Sequence, residues 1–107
     1  MKLLFVCSQN RLRSPTAEAV FSAYPGIYAM SAGTNHDSVN PISADLIEWA
    51  DVVLAMEKSH KNKLTKKFKS EFKCKRLVVL DIPDEFDFMD PELVRILKAK
   101  VHRYVRL

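Results

Sequence analysis

Short apolar runs alternate along the chain with longer segments in which apolar residues recur every three or four positions. The apolar runs cover residues 2–6, 27–33, 51–56 and 76–81, and they have the length of β-strands. The first run is apolar enough to be buried on both faces. Because strands that alternate with helices form parallel sheets, we expect an α/β fold of three layers, with helices on both faces of the sheet.

Four segments between or after these runs have helical spacing. The first follows Ser14 as its cap and has Pro15 at its first position. The second is short and begins near Pro41, and the third covers residues 57–72. The last begins at Asp90, a helix cap that is followed by proline. One face of this closing helix carries Leu93, Leu97, Val101 and Tyr104.

The 107 residues suit a single domain, residues 1–107, with one modest core. No apolar run approaches the roughly 20 residues that span a bilayer. The apolar stretch near the start covers only residues 3–6, and a charged segment without a small-residue cleavage site follows it. We therefore expect a cytoplasmic protein with no membrane partner, whose two cysteines, Cys7 and Cys74, are reduced.

The net charge of +4 is spread unevenly. Nearly every second residue of the segment 58–76 is Lys or Arg, and Glu71 is its only acid, whereas residues 81–92 are strongly acidic. A basic block of this kind can bind nucleic acid or an acidic partner. Its charge pattern is also that of a solvated helix face, which is the interpretation we favour, so we do not expect a nucleic acid partner.

The loop between the first strand and the first helix carries a cysteine and an arginine, Cys7 and Arg13, six positions apart. Ligands bind to parallel sheets beyond the carboxyl ends of the strands, where this loop lies. Backbone N–H groups of such a loop, with the positive end of a helix beneath them, suit the oxygens of a phosphoryl group. Arg13 adds a planar fork that holds two of those oxygens. The expected phosphate-binding residues are Ser8, Gln9, Asn10, Arg11, Leu12, Arg13 and Ser14.

Cys7 lies at the centre of the same field, and a helix N-terminus with a nearby cation favours the thiolate form of cysteine. A thiolate is a competent nucleophile toward phosphorus and gives a phosphocysteine intermediate. Ser14 can donate a hydrogen bond to this sulfur, and Asn10 can hold the loop open through neighbouring backbone groups. Residues 7–14 are therefore the predicted reaction centre, and we call them the 7–14 loop.

Three ordered segments resemble the low-molecular-weight protein tyrosine phosphatase family. "FVCSQNRLRSPTAEAVF" is similar to its active-site loop, V-C-x-G-N-x-C-R-S-P-x-A-E, and "SAGT" at residues 31–34 resembles the end of its second strand. "ADVVLAME" at residues 50–57 resembles its "ADLVLAMD" segment. The resemblance implies a four-stranded parallel sheet flanked by helices. It also implies hydrolysis of phosphotyrosine or a similar phosphate monoester, on a protein or a small molecule, without metal or cofactor. We expect the protein to be a monomer.

The chain departs from the family in the loop and in length. Gln9 stands where glycine is usual, and Arg11 and Leu12 replace an aliphatic residue and, often, a second cysteine. The chain is shorter than usual members, between Thr34 and Ala50 and again before the fourth strand. Since those regions help to form the pocket wall in the family, the substrate is less determined than the chemistry.

The family's general acid is an Asp followed by Pro, just after the last strand. Here the strand ends in Asp81, followed by Ile82, Pro83 and Asp84. Asp81 keeps the strand-end position and is our first choice, and Asp84 is the alternative because the loop differs by about a residue. Asp90 directly precedes a proline, but an apolar periodic run follows it, so we expect it to cap a helix.

Two other functions remain open. An arsenate reductase, which the same fold supports, needs further cysteines for a disulfide relay, and only Cys74 is available. A module that binds phosphate or nucleic acid without turnover needs neither Cys7 nor a strand-end Asp, which argues against it. The three histidines, His36, His60 and His102, show no metal-ligand spacing, and we expect each to lie on the surface or to be partly buried.

Overall fold

The computed structural model describes all residues from Met1 to Leu107. Its strands are β1 (Lys2–Cys7), β2 (Tyr28–Gly33), β3 (Val52–Ala55) and β4 (Arg76–Val79). Its helices are α1 (Arg13–Phe21), α2 (Ala44–Trp49), α3 (Lys58–Lys67) and α4 (Pro91–Val101). The predicted alternation of four strands with four helices is therefore confirmed.

The four strands form one parallel sheet in the order β2-β1-β3-β4. β1 lies between β2 and β3, where Leu3 is opposite both Ala29 and Val52. All four carboxyl ends therefore meet at one edge of the sheet. This edge holds the 7–14 loop, the start of α3 and the segment that follows β4.

Successive side chains of β1 point to opposite faces of the sheet and enter two separate apolar clusters. Leu3 and Phe5 pack with residues of α1 and α4, among them Phe21 and Leu97. On the other face, residues of β1 and β3 pack with α2 and α3, among them Leu4, Val6, Ile47 and Leu64. The double burial of β1 explains its uninterrupted apolar sequence, and the three-layer α/β prediction is confirmed.

The first helix starts two residues before the predicted position, at Arg13. Leu12 is its cap residue and makes no side-chain cap hydrogen bond. Ser14, the expected cap, lies inside the helix because its hydroxyl contacts the Cys7 sulfur instead. α4 agrees with prediction at its start, where the Asp90 side chain accepts a hydrogen bond from the N–H of Glu92.

Other boundaries also differ from the sequence prediction. α3 ends at Lys67 rather than residue 72, and α2 begins at Ala44, capped by Ser43, rather than near Pro41. β4 ends at Val79 because Asp81 adopts a positive φ of 54°, which ends an extended strand. Beyond the end of α4, Val105 is buried in the core, whereas Tyr104 is partly exposed.

None of the helices combines the length and apolar character that crossing a membrane requires.

Candidate active site

Backbone hydrogen bonds hold the first part of the 7–14 loop by its carbonyl groups. A segment between β2 and α2 supplies the N–H donors, and the pairs are Cys7 with Thr34 (2.9 Å), Ser8 with Asn35 (3.1 Å) and Gln9 with Val39 (3.1 Å). In a trans peptide the C=O and the following N–H point in opposite directions. Because the carbonyls face this outer segment, the next amides along the chain face the inside of the loop.

Most N–H groups of the loop make no hydrogen bond within the protein. These free donors belong to Ser8, Gln9, Arg11, Leu12, Arg13 and Ser14. Asn10 has a positive φ of 57°, and this turn brings its N–H to 3.3 Å from the Cys7 sulfur. The loop therefore curls around Cys7 and keeps a set of donors that an anion can use.

The Cys7 sulfur is buried and contacts polar groups of its own loop. The Ser14 hydroxyl oxygen lies 3.0 Å from the sulfur, and the same oxygen accepts a hydrogen bond of 2.8 Å from the Asn10 side-chain amide. With that acceptor site filled, the hydroxyl hydrogen of Ser14 is available to the sulfur. The N–H of Asn10 and the hydroxyl of Ser14 therefore both lie within hydrogen-bond distance of the sulfur.

Arg13 is buried, and one of its terminal nitrogens is fully used inside the protein. Nη1 donates to the Glu57 carboxylate (2.6 Å) and to the backbone oxygen of Ile82 (2.7 Å). The Nε and Nη2 edge of the guanidinium makes no hydrogen bond within the protein. This edge has the geometry that holds two oxygens of one phosphate.

The two candidate acids lie in different surroundings. The Asp84 carboxylate lies 3.8 Å from Nε of Arg13, so it is close to the free edge of the guanidinium. Asp81 is exposed, and its backbone oxygen accepts a hydrogen bond from Lys100. Asp81 lines a surface hollow of about 370 Å³ together with Glu57 and Lys58, and its carboxylate makes no ion pair with Arg13.

Glu57 is a site residue that the sequence analysis did not single out. Its side chain accepts hydrogen bonds from Arg13 and from the backbone N–H of His60, so it holds the arginine and caps α3 at once. Such a carboxylate also interacts favourably with the helix dipole. Glu57 follows Met56 just after β3, at the edge of the sheet that carries Cys7. This position is the feature of the sequence that could have indicated a role for Glu57 in the site.

His60 is buried with 2% exposure, which corrects the expectation of a surface or partly buried histidine. Its Nδ1 accepts the N–H of Glu57 (3.0 Å), so in the neutral ring Nε2 carries the hydrogen and donates to the Ser8 hydroxyl (2.9 Å). Burial, and after it the positive charge of Arg13, lowers the pKa of His60 from 6.5 to about 4. The neutral ring therefore links α3 to the 7–14 loop.

The rim of the loop carries the side chains that differ most from the family pattern. Arg11 is exposed, whereas Gln9 and Leu12 are partly buried. Beyond Asp84, Phe86 packs against the core and Phe88 is 53% exposed. Of these two aromatic rings, that of Phe88 is the more exposed.

No protein-family model matches the chain. It is 31% identical to the protein-arginine-phosphatase of Bacillus subtilis, in a match that covers 64% of this chain and 63% of that relative. A cysteine-to-serine variant of YwlE arginine phosphatase with a phosphorylated active-site serine matches with a TM-score of 0.73. That match has 25% identity and covers 99% of this chain and 98% of the other.

The low-molecular-weight protein tyrosine phosphatase of Streptococcus pyogenes matches with a TM-score of 0.76 at 16% identity, and the match covers 97% of this chain and 93% of the other. At this identity the likeness shows a shared fold. The chain therefore shares the fold of these phosphatases. Its match spans less than two thirds of the curated Bacillus relative.

Cys74 lies far from Cys7 in the sheet. Leu3 is paired with Val52 in the sheet, and Val52 is paired with Arg76. Cys74 comes just before Arg76, so it lies at the edge formed by the amino ends of the strands. Cys7 lies four residues beyond Leu3, which is roughly 13 Å at about 3.3 Å per residue. A disulfide requires Cα atoms within about 7 Å. The arrangement therefore does not support an arsenate reductase relay between the two cysteines.

Proposed function

We propose that the protein is a cysteine-dependent, metal-free phosphatase that hydrolyses phosphorylated side chains of proteins through a phosphocysteine intermediate. The observation that carries the proposal is the Cys7 sulfur inside a loop whose N–H groups have no partner in the protein. The free edge of Arg13 adds two further donors. Together these groups match the charge and the tetrahedral shape of a phosphate.

In the first step the Cys7 thiolate attacks phosphorus as the bond to the leaving group breaks. The free amides and Arg13 stabilise the charge that develops on the phosphoryl oxygens. We assign the general acid to Asp84, which in its protonated form donates a proton to the leaving atom. Its position 3.8 Å from Arg13 supports this choice over Asp81, our first choice from sequence.

In the second step a water molecule attacks the phosphocysteine, and Asp84 accepts a proton from this water. The sulfur–phosphorus bond breaks, and Cys7 leaves as a thiolate. The Ser14 hydroxyl, 3.0 Å from the sulfur, stabilises this leaving thiolate. The phosphorylated serine that replaces cysteine in the YwlE variant supports a covalent intermediate at this position.

Phosphotyrosine or a similar monoester is the substrate class that we propose first, and the exposed ring of Phe88 suits an aromatic group beside the loop. Phosphoarginine is the second candidate, because the Bacillus relative is a protein-arginine-phosphatase. The acidic loop that contains Asp84, Glu85 and Asp87 suits a cationic guanidinium. Both substrates use the same attack by Cys7 and differ in the leaving atom.

The test is the hydrolysis of an aryl phosphate by the purified protein in the presence of a metal chelator. We expect turnover by the wild type, no turnover by Cys7→Ser, and normal turnover by the control Cys74→Ser. Acid quenching during turnover should trap phosphate on Cys7. Activity that survives Cys7→Ser, or that is equally lost in Cys74→Ser, would overturn the proposal. Peptides with phosphotyrosine and phosphoarginine then rank the two substrates.

We further propose that the protein works as a cytoplasmic monomer. The mechanism needs a reduced Cys7, and both cysteines are free thiols in the structure. Every group assigned to the mechanism comes from a single chain.

A further inference from the structure

A groove beside the 7–14 loop has no role in the mechanism above. It runs between the segment that follows β2 and the outer side of α3, and its volume is about 530 Å³, within the range of ligand sites. Its apolar lining comes from Ile42, Leu64 and Phe68, and its charged lining from Lys63, Lys66 and Lys67. We call it the lysine groove.

The lysine groove shares a wall with the reaction centre. Thr34 and Asn35 line the groove, and their N–H groups hold the carbonyls of Cys7 and Ser8. The wall of the groove is therefore the segment that shapes the loop around the phosphate.

The positive charge of the groove is not neutralised by the protein. None of the ion pairs in the structure includes a lysine of α3. Within the groove, Lys63 donates to the Asn35 side-chain oxygen (3.2 Å), and Lys67 lies 5.6 Å from the centre of the Phe68 ring. A ligand with carboxylates gains charge complementarity here, and its aliphatic parts can cover the apolar lining.

We propose that the lysine groove binds an acidic peptide segment next to the phosphorylated residue of a protein substrate. This proposal rests on the proposed phosphatase function and names the sequence context that the enzyme prefers. The basic segment of α3 is thus a substrate-binding surface rather than a solvated helix face alone. Acidic residues of the substrate lie along Lys63, Lys66 and Lys67 while its phosphate lies over Cys7.

The first test is a calorimetric titration at low salt with a short glutamate-rich peptide that carries no phosphate. The reference peptide has glutamine in place of each glutamate. We expect the acidic peptide to bind more tightly, and the double variant Lys66→Ala/Lys67→Ala to weaken its binding about fivefold. The control Lys61→Ala/Lys69→Ala removes the same charge from exposed positions outside the groove and should bind as the wild type does.

The second test compares phosphotyrosine peptides with flanking glutamates or glutamines as substrates. We expect a lower KM for the acidic substrate, and Lys66→Ala/Lys67→Ala should raise that KM far more than the KM of the neutral one. Salt should remove the difference, because the Debye length falls to about 3 Å at 1 M. The double variant Lys66→Glu/Lys67→Glu should shift the preference toward a lysine-flanked peptide.

Equal affinities for the acidic and the neutral peptide would overturn the proposal. Equal weakening by the control pair would also overturn it, because general charge attraction would then explain the binding. Tighter binding of a single-stranded DNA with the same lysine dependence would assign the groove to nucleic acid instead. The titration uses a peptide without phosphate, so it tests the groove independently of catalysis. A failure of Cys7-dependent hydrolysis would overturn the proposed phosphatase function, and the titration would still show whether the groove binds an acidic peptide.

Discussion

The carboxylate of Asp84 lies 3.8 Å from Nε of Arg13, on the edge of the guanidinium that no protein acceptor occupies. Any phosphate held by this edge has Asp84 beside it. The side chain of Asp81, at the end of the predicted fourth strand, makes no such contact. Arg13 therefore lies next to both the proposed phosphate-binding groups and the proposed proton donor.

We predict that Asp84→Asn slows the hydrolysis of esters with poor leaving groups by about 10²-fold or more, because loss of a general acid typically costs 10²–10⁴-fold. Esters with good leaving groups should be affected much less, since a good leaving group departs without a proton. The measurement is kcat for a series of aryl phosphates of graded leaving-group acidity. Asp81→Asn is the matched control, and a steeper dependence in that variant would assign the acid to Asp81.

Glu57→Gln should impair both catalysis and stability, because one carboxylate holds Arg13 and caps α3. The amide keeps an acceptor oxygen but loses the charge, and charge-assisted hydrogen bonds are about twice as strong as neutral ones. We expect the free energy of unfolding to fall by about 1–2 kcal/mol, because a partly exposed ion pair contributes less than a buried one. We also expect a fall of roughly tenfold in kcat/KM, as Arg13 becomes less fixed.

The control for this change is Glu48→Gln, an exposed carboxylate on α2. Urea unfolding and steady-state kinetics of both variants give the comparison. If Glu57→Gln lowered stability and left kcat/KM unchanged, Glu57 would be a helix cap with no part in positioning Arg13.

His60 should make the protein less stable as the pH falls from about 6.5 toward 4. The pKa of His60 is lowered to about 4 in the folded protein, so the unfolded chain binds more protons in this interval. The stability that neutral His60 gives is complete above pH 6.5. Since one pKa unit corresponds to about 1.4 kcal/mol, at most about 3–4 kcal/mol is lost once the pH has fallen below 4.

Urea unfolding at several pH values tests this prediction through the difference between variants. His60→Gln should be less stable than the wild type at pH 7 and should lose less stability on acidification. His102→Gln, at an exposed position, should keep the wild-type slope. Identical slopes for the wild type and His60→Gln would show that His60 does not carry this dependence.

Gly33→Ala should displace the 7–14 loop. A Cβ atom at this position would lie 2.6 Å from the backbone oxygen of Ser8 and would also meet the Ser38 side chain, so the packed backbone must move. We expect a loss of about 1–3 kcal/mol in the free energy of unfolding, as for other overpacked sites, together with a lower kcat.

Gly26→Ala is the comparison for this variant, since a Cβ there meets no atom within 4 Å although φ is +78°. Its backbone strain should cost roughly 1–2 kcal/mol without changing kcat. A normal kcat for Gly33→Ala would mean that the loop tolerates the shift, which would contradict the close coupling of Gly33 to Ser8.

The sequence was sufficient for the sheet and the loop. The apolar runs predicted all four strands, and Cys7 with Arg13 predicted the loop that the structure places at the carboxyl edge. The errors of the sequence prediction were at the ends of helices and strands. Ser14 was expected both to cap the first helix and to contact the Cys7 sulfur, and only the contact with the sulfur is present, because the helix begins one residue earlier, at Arg13.

The roles of Glu57, His60 and Asp84 depend on contacts with residues 44 to 71 positions away in the chain. Periodicity and capping rules describe neighbours within a few residues, so the sequence by itself determined the elements, their order and the residue types at the loop. Only the tertiary structure decided which carboxylate reaches Arg13 and which histidine is buried beside Ser8. The physical reason is that parallel strands bring their carboxyl ends together across long connections, and the path of those connections fixes which side chains meet.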